Sequence, residues 1–276
     1  MIGSSRIHRA PDCRCRMSPA AAMIDRMPPP PQSSNTVMTL QDRPVYGFGQ
    51  VDHILGLKPG TAGRWIDGYR RGGKTYPPII RPRRSGDEIV TWGEFIEARL
   101  LAEYRGEGAL VARMRPAIEK LRERLNTRYP LASAKLWLAV ENRELVWQVQ
   151  EQVGLDKRLF LVVIRNDQEM LHWSREAQDF ADSLHWSEED TDAAYPDRQI
   201  VSLNPDPSIR EVVVDPMQRF GEPTTRGVPT DIIRELYAAG DPIDMIADLY
   251  ELSPHQVEAA VRYELKSADA YSARAS

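Results

Sequence analysis

The sequence has very little cysteine and no long apolar segment. Its two cysteines, Cys13 and Cys15, both precede residue 38, so the remainder of the chain can build neither a disulfide framework nor a four-ligand zinc site. No segment approaches the roughly 20 consecutive apolar residues of a membrane span, and the N-terminal residues lack the apolar segment of a secretory signal. We therefore expect a protein of the reducing cytoplasm without a membrane partner.

Signatures of the common enzyme classes are also missing. No Walker loop, nucleophile elbow, zinc-protease motif or dinucleotide fingerprint occurs, which leaves an enzyme as the weakest of three alternatives. His172 and His185 lie near several acids but lack the tight spacing of metal ligands. We expect no metal and no cofactor, and we expect three tryptophans of the middle region to form core or dimer contacts, namely Trp137, Trp147 and Trp173.

Charge is distributed unevenly, although the whole chain has a net charge of only −4. Residues 58–84 contain eight basic residues and one acidic residue, for a net charge of +7, which indicates a polyanion-binding segment. Residues 211–264 contain eleven acidic and four basic residues, for a net charge of −7, and we expect them to avoid phosphate. The pattern predicts DNA binding at one end of the chain and a protein partner at the other.

Residues 45–71 have the pattern of two short helices joined by a tight turn. The segment QVDHIL predicts the first helix, Gly56 ends it, and Leu57 would fill the turn. Pro59 suits the first position of the second helix. The spacing i, i+3, i+4, i+7 places Ala62, Trp65, Ile66 and Tyr69 on one buried face, and the opposite face carries Thr61, Arg64, Arg70 and Arg71.

Two further signals follow the second helix. Short apolar runs flank RRSGDE, where Ser85 and Gly86 predict a tight turn between two strands of a small basic wing. Thr91 and Glu94 have the spacing of a capping box, which predicts the start of a helix containing Phe95, Ala98, Leu101 and Ala102. The predicted order is therefore helix, turn, helix, wing, helix.

This order resembles a winged helix of the MerR type over residues 45–105, through the segments VDHILGLKPGTAGRWIDGY and TWGEFIEARLLAEY. In that family the second helix and the wing contact DNA. The resemblance implies this role for Thr61, Arg64, Arg83 and Arg84, with Arg64 as the leading base-contact candidate. Together with the neighbouring cations, the expected DNA-binding residues are Lys58, Thr61, Arg64, Arg70, Arg71, Lys74, Arg83 and Arg84. The alternative is that these arginines form a solvated surface.

The middle region is less distinctive. The segment ALVARMRPAIEKLRERLN predicts an amphipathic helix with charge pairs at i, i+4 spacing. The segment LWLAVENRELVWQV predicts a β-hairpin that turns at residues 141–143, and RLFLVVIRN predicts a third short strand. We therefore expect one helix followed by a small β-sheet.

The C-terminal segment carries a second resemblance. The segments VVVDP and GEPTTRGVPT, followed by a helical segment, resemble the antitoxin-associated domain-of-unknown-function family 433. The pattern of that family runs from Asp-Pro through Gly-x-Pro-x-x-x-Gly into three short helices. In this chain Val228 and Pro229 replace the usual Thr-Arg after the second glycine, and the frame is occupied by Asp215, Pro216, Gly221, Pro223, Gly227 and Pro229.

Helix signals within this segment agree with the resemblance. Gly240 ends the first helix, Pro242 starts the second, Leu252 fills a turn, and Ser253 with Gln256 forms a capping box. Because three helices this short have an incomplete core, a dimer or a protein partner would bury further apolar surface, and a self-contained trihelical domain is the alternative. The predicted apolar positions are Ile232, Ile233, Leu236, Tyr237, Ile243, Ile246, Ala247, Leu249, Val257, Ala260 and Val261.

These patterns predict an α+β protein that is mainly α-helical. It would combine an N-terminal winged helix-turn-helix, a small mixed middle region and a C-terminal three-helix, helix-turn-helix-like domain. The first 37 residues mix Pro, Ser and Arg without periodicity, which is typical of disorder, and Met38 is an expected natural start. The predicted segments are a disordered leader (1–37), a DNA-binding domain (38–105), a helix with a small sheet (106–208), a trihelical domain (209–266) and a flexible tail (267–276).

A MerR-like module joined to this C-terminal domain resembles the VapB-type antitoxins of prokaryotic type II toxin–antitoxin pairs. The resemblance implies a cognate PIN-like ribonuclease toxin as partner, autorepression through promoter DNA, and a homodimer or larger toxin–antitoxin hetero-oligomer. Arg274 in the tail is a candidate for entering the acidic toxin site, because guanidinium groups pair well with carboxylates. The main alternative is a stand-alone MerR-like transcription regulator whose middle region binds an effector.

Overall fold

The computed structural model describes residues 39–106, 110–138, 142–164, 170–187 and 198–272. These residues belong to one compact unit that begins at Met38. The fold is mixed α+β with more helix than strand, as the sequence predicts, and its sheets among the described residues are small and antiparallel. The predicted leader and Arg274 lie outside the described residues.

The N-terminal part alternates short strands with helices. The predicted capping box begins its longest helix: the Glu94 amide donates to Thr91 Oγ1 (3.3 Å), and the Thr91 amide donates to Glu94 Oε2 (3.1 Å). The helices are α1 (Phe48–Ile54), α2 (Thr61–Ile66) and α3 (Trp92–Gly106), and the strands are β1 (Pro44–Gly47), β2 (Tyr69–Arg71), β3 (Lys74–Tyr76) and β4 (Ile89–Thr91).

The strands pair differently from the prediction. Ser85 and Gly86 do not join two paired strands, because β4 pairs antiparallel with β1 and places Val90 opposite Tyr46. The tight hairpin lies earlier in the chain, where β2 pairs antiparallel with β3. The predicted hairpin around residues 85–86 is therefore wrong, since the second of its strands finds its partner more than 40 residues away in sequence.

The middle region is more helical than predicted. The predicted hairpin around residues 141–143 is wrong, because the described parts of that segment form α5 and α6, and α6 buries Val146, Val149 and Gln150 at helical spacing. The strand predicted in RLFLVVIRN is confirmed as β5. The elements are α4 (Arg115–Leu125), α5 (Ala134–Leu138), α6 (Asn142–Gln152), β5 (Val162–Ile164), β6 (Leu171–Trp173), α7 (Arg175–Asp182), β7 (Leu184–Trp186) and β8 (Ile200–Leu203).

The C-terminal part is a small hairpin followed by three helices. The second predicted capping box is confirmed, since the Ser253 amide donates to Gln256 Oε1 (2.9 Å) and the Gln256 amide to Ser253 Oγ (3.3 Å). None of the described helices has both the length and the apolar character needed to span a membrane. The elements are β9 (Thr224–Thr225), β10 (Val228–Pro229), α8 (Thr230–Ala239), α9 (Ile243–Tyr250) and α10 (Pro254–Ser272).

Helix α3 lies within the main hydrophobic cluster, which joins the N-terminal and middle regions. Its Trp92 is fully buried and donates from Nε1 to the Ile200 carbonyl (2.8 Å), which ties α3 to β8. Of the three tryptophans predicted to form core or dimer contacts, Trp137 and Trp173 lie in the core: both are buried and their ring centroids lie 4.8 Å apart. Trp147 is partly buried and meets the ring of Phe160 edge-on.

The close packing of α3 leads to a stability prediction. A Cβ atom added at Gly93 would lie 2.6 Å from the Tyr129 ring, whereas one at Gly49 in α1 would have nothing within 4 Å. Gly93→Ala should lower the free energy of unfolding by about 1–3 kcal/mol through overpacking. Gly49→Ala, the matched control, should raise it by roughly 0.4–1 kcal/mol through reduced chain entropy. Urea denaturation of both variants measures this, and equal effects would contradict the packing described here.

Candidate nucleic-acid interface

A buried carboxylate fixes α2 against α1. Asp52 in α1 is almost fully buried, and its carboxylate accepts the amide N–H groups of Gly60 (2.6 Å) and Ala62 (2.8 Å) at the start of α2. These donors would otherwise lack partners, because the first amides of a helix have no intrahelical acceptor. Burial raises the pKa of Asp52, while the hydrogen bonds from α2 oppose that rise. Leu57 is buried in the intervening turn, as predicted.

Helix α2 has one buried face and one exposed basic residue. Ala62, Trp65 and Ile66 are buried, which confirms three of the four residues predicted for this face. Arg64 is exposed on the other side and donates from Nη2 to Thr61 Oγ1 (2.9 Å). Thr61 itself is only 3% exposed, so its side chain positions Arg64 rather than reaching the surface.

Helix α2 is shorter than the sequence predicts. It ends at Ile66, and Gly68 follows with a φ of +72°. A Cβ atom at Gly68 would lie 2.5 Å from the Tyr76 carbonyl oxygen, so a residue other than glycine would collide with the backbone. The chain turns here into β2, and Tyr69 is therefore a half-buried strand residue instead of the fourth residue of the helix face.

The β2–β3 hairpin presents a cluster of cations. Gly72 and Gly73 both have positive φ and form its two-residue turn. Across the hairpin, the rings of Tyr69 and Tyr76 stack with centroids 4.5 Å apart. Arg71 lies opposite Lys74, and like charges in this arrangement repel. The exposed cations of the hairpin are Arg70, Arg71 and Lys74, and the described residues include no carboxylate in ion-pair contact with them.

Arg81 is internal, although it contributes to the positive charge of residues 58–84. Its guanidinium contacts Glu94 (Nε to Oε1, 2.7 Å) and Asp67 (Nη1 to Oδ1, 3.2 Å), and donates to the carbonyl oxygens of Asp87 and Ile89, both at 2.7 Å. These contacts connect the end of α2, the loop before β4 and the start of α3. Arg81 is therefore not available to bind phosphate.

Asp67 organises the loop from which the remaining loop arginines project. Its carboxylate accepts the amides of Ser85 (2.6 Å) and Gly86 (3.0 Å). Although burial opposes it, these hydrogen bonds and the bond from Arg81 lower the pKa of Asp67. Arg83 and Arg84 are exposed, and Arg84 Nε lies 3.4 Å from Asp67 Oδ2. The structuring roles of Asp52, Asp67 and Arg81 were not predicted. The sequence signal for the two aspartates was their position as single acids in apolar segments.

Seven of the eight predicted DNA-binding residues are exposed at or near α2, the hairpin and the following loop, and Thr61 is the buried exception.

The two histidines considered as metal ligands, His172 and His185, lie on different sheets, and His185 Nδ1 contacts Ser202 Oγ (2.8 Å). The described residues contain no group of three or more His, Cys, Asp or Glu side chains placed to hold a metal.

The C-terminal helices form a separate small core. Ile233, Ile246 and Val257 are fully buried within it, and Leu252 fills the predicted turn. Several apolar residues predicted for the stripes of α8 and α9 remain outside this core, and Leu249 is 63% exposed. The exposed large apolar residues of this module are Met217, Phe220, Ile232, Tyr237, Met245, Leu249 and Leu265.

Residues 212–263 match the family described as Protein of unknown function (DUF433), which confirms the predicted C-terminal resemblance. The chain is 38% identical over 234 residues to the Uncharacterized protein Rv2308 of Mycobacterium tuberculosis (strain ATCC 25618 / H37Rv), covering 84% of this chain and 94% of that protein. This chain therefore belongs to the same family as Rv2308. Its fold is similar to the crystal structure of Rv2018 from Mycobacterium tuberculosis, with a TM-score of 0.61 and 22% identity over 81% of this chain and 100% of that chain.

The different positions of Arg81 and Arg83 generate a prediction. Arg81→Met should lower the free energy of unfolding by about 3–5 kcal/mol, because it leaves the carboxylates of Asp67 and Glu94 buried without their partner. Arg83→Met, the control at an exposed position two residues away, should change it by less than about 0.5 kcal/mol. Urea denaturation at neutral pH compares the two, and a similar small effect of both would show that the ion pair does not stabilise this region.

Proposed function

We propose that this chain is a DNA-binding antitoxin: its N-terminal module binds promoter DNA, and its C-terminal module binds a PIN-like ribonuclease toxin. The observation that carries the proposal is the separation of two surfaces. Exposed cations concentrate on α2, the β2–β3 hairpin and the following loop, whereas exposed apolar side chains concentrate on the acidic C-terminal module. The first surface suits a polyanion and the second suits a protein.

The DNA part of the proposal follows from how the cations are held. Arg64 projects from the outer face of α2, which Asp52 fixes to α1, so the helix and its arginine can enter a major groove as a rigid element. The hairpin cations lie on a flanking element, where contact with the phosphate backbone would position the helix. A polyanion would also offset the repulsion between Arg71 and Lys74.

The toxin part rests on the C-terminal module. The match to DUF433 supports the resemblance to antitoxin-associated domains, and the ribonuclease class of the partner comes from that resemblance by association. Met245 and Leu249 are one helical turn apart on α9, and both are exposed. A partner covering them would bury apolar surface that the small three-helix core leaves in water.

A stand-alone transcription regulator with a small effector is the second candidate. It is favoured by a groove of about 530 Å³ that Arg64 itself helps to line. The two candidates differ in whether the native chain carries a stoichiometric protein partner.

DNA binding can be tested with arginine variants on a fragment upstream of the protein's own gene. Arg64→Ala should cost about 1–3 kcal/mol of binding free energy and relax sequence specificity, because it removes a base contact. Arg83→Ala should weaken binding to all sequences and reduce the salt dependence by about one phosphate contact. Fluorescence anisotropy at several salt concentrations measures both, with Arg234→Ala in α8 as the control. Equal effects of Arg64→Ala and Arg83→Ala would show that α2 does not read bases.

Partner binding can be tested by purifying the tagged chain from its own host at moderate salt and identifying stoichiometric proteins by mass spectrometry. We expect a small PIN-like ribonuclease. Leu249→Asp should weaken its binding about tenfold or more, because it places a charge in an apolar interface. Met170→Asp, at a methionine of the middle region that is 61% exposed, is the control and should retain the partner. Recovery of the chain only with itself and DNA would favour the stand-alone regulator.

A further inference from the structure

A groove runs between α2 with its hairpin on one side and the start of α4 on the other. Its volume is about 530 Å³, which lies in the range of small-molecule sites. Arg64, Trp65 and Tyr69 line one wall, and Val111 and Arg115 line the other. The groove therefore shares Arg64 with the candidate nucleic-acid interface but extends away from it toward the middle region.

Aromatic and aliphatic side chains form most of the groove wall. Trp65 is almost fully buried, and the Arg105 guanidinium lies 5.7 Å from its ring centroid. Tyr69 and Tyr76 are held in a parallel stack by the hairpin, and Ile79 is buried beside them. Aromatic side chains held in fixed positions suit an aromatic ligand, because a ring can pack against them in an offset stack.

The charged residues of the groove are all cationic. Arg64, Arg105 and Arg115 line it, and no carboxylate is found among the described residues that line it. Arg115 pairs with Glu119 one turn along α4, and its Nε and Nη2 both lie 2.8 Å from Glu119 Oε1. Because the two side chains are 29% and 42% exposed, solvent screens this pair. Arg115 also begins α4, whose first turn contains no acidic residue, and the helix dipole there adds to the positive potential.

We propose that this groove binds a small planar aromatic anion such as an aromatic carboxylate, with the ring against the aromatic wall of α2 and the hairpin and the carboxylate at Arg115 and Arg64. Guanidinium groups bind carboxylates through paired hydrogen bonds, and an apolar wall excludes water from them. Occupation of the groove engages Arg64 and so weakens DNA binding. This regulatory step rests on the proposed DNA binding, whereas ligand binding itself does not.

The ligand-binding step is tested on the full chain without DNA by calorimetric titration with 2-naphthoate. Arg115→Gln should weaken binding about tenfold, because it removes a charged hydrogen-bond donor. Arg113→Gln, a loss of the same charge at a residue that is 60% exposed and pairs with Asp156 outside the groove, should leave binding unchanged. The neutral isostere 2-naphthamide should bind more weakly than 2-naphthoate. Thermal unfolding of both variants checks that each remains folded.

Three outcomes would overturn the ligand-binding proposal: no saturable binding of 2-naphthoate at millimolar concentration, equal losses from the Arg113 and Arg115 variants, or equally tight binding of inorganic phosphate. The last result would identify a general anion site that suits the DNA backbone. Regulation is tested separately by adding 2-naphthoate to the complex with promoter DNA. Binding without any loss of DNA affinity would overturn the regulatory step alone, and a failure of the proposed DNA binding would appear independently in the Arg64→Ala measurement.

Discussion

The buried ion pairs of Arg81 hold the N-terminal module in its shape. One guanidinium joins Asp67 at the end of α2, Glu94 at the start of α3 and two carbonyl oxygens of the loop between them. A charge placed in this environment must be fully paired, because an unpaired buried charge is strongly destabilising. The loop therefore closes around Arg81, and the remaining basic residues of the segment are directed outward. Burial of Arg81 thus shapes the loop on which Arg83 and Arg84 are exposed.

Two tyrosines connect this module to the C-terminal one. Tyr46 donates to the Gly221 carbonyl (2.6 Å), and Tyr263 in α10 donates to the Ile54 carbonyl at the end of α1 (3.1 Å). Burial raises the pKa of both phenols, so both remain protonated donors at physiological pH. Since α1 in turn fixes α2 through Asp52, a continuous set of contacts runs from the C-terminal helices to Arg64.

The opposite charges of the two ends keep the proposed functions apart. Residues 211–264 carry a net charge of −7, which disfavours contact with phosphate. Its exposed apolar residues, such as Met245 and Leu249, suit a protein surface instead. The groove beside α2 adds a third surface with its own chemistry, aromatic and cationic together.

The sequence by itself determined the features that depend on neighbouring residues. The sequence predicted both capping boxes and the buried face of Ala62, Trp65 and Ile66, because caps and helix faces involve residues at most four positions apart. It also predicted the C-terminal family match. Only the tertiary structure decided that the hairpin turns at Gly72 and Gly73 and not at Ser85 and Gly86, that β4 pairs with β1, and that Arg81 is buried while Arg83 is not. Those outcomes depend on partners distant in sequence, such as Asp67 and Glu94 for Arg81, whose proximity follows only from the packing of the whole core.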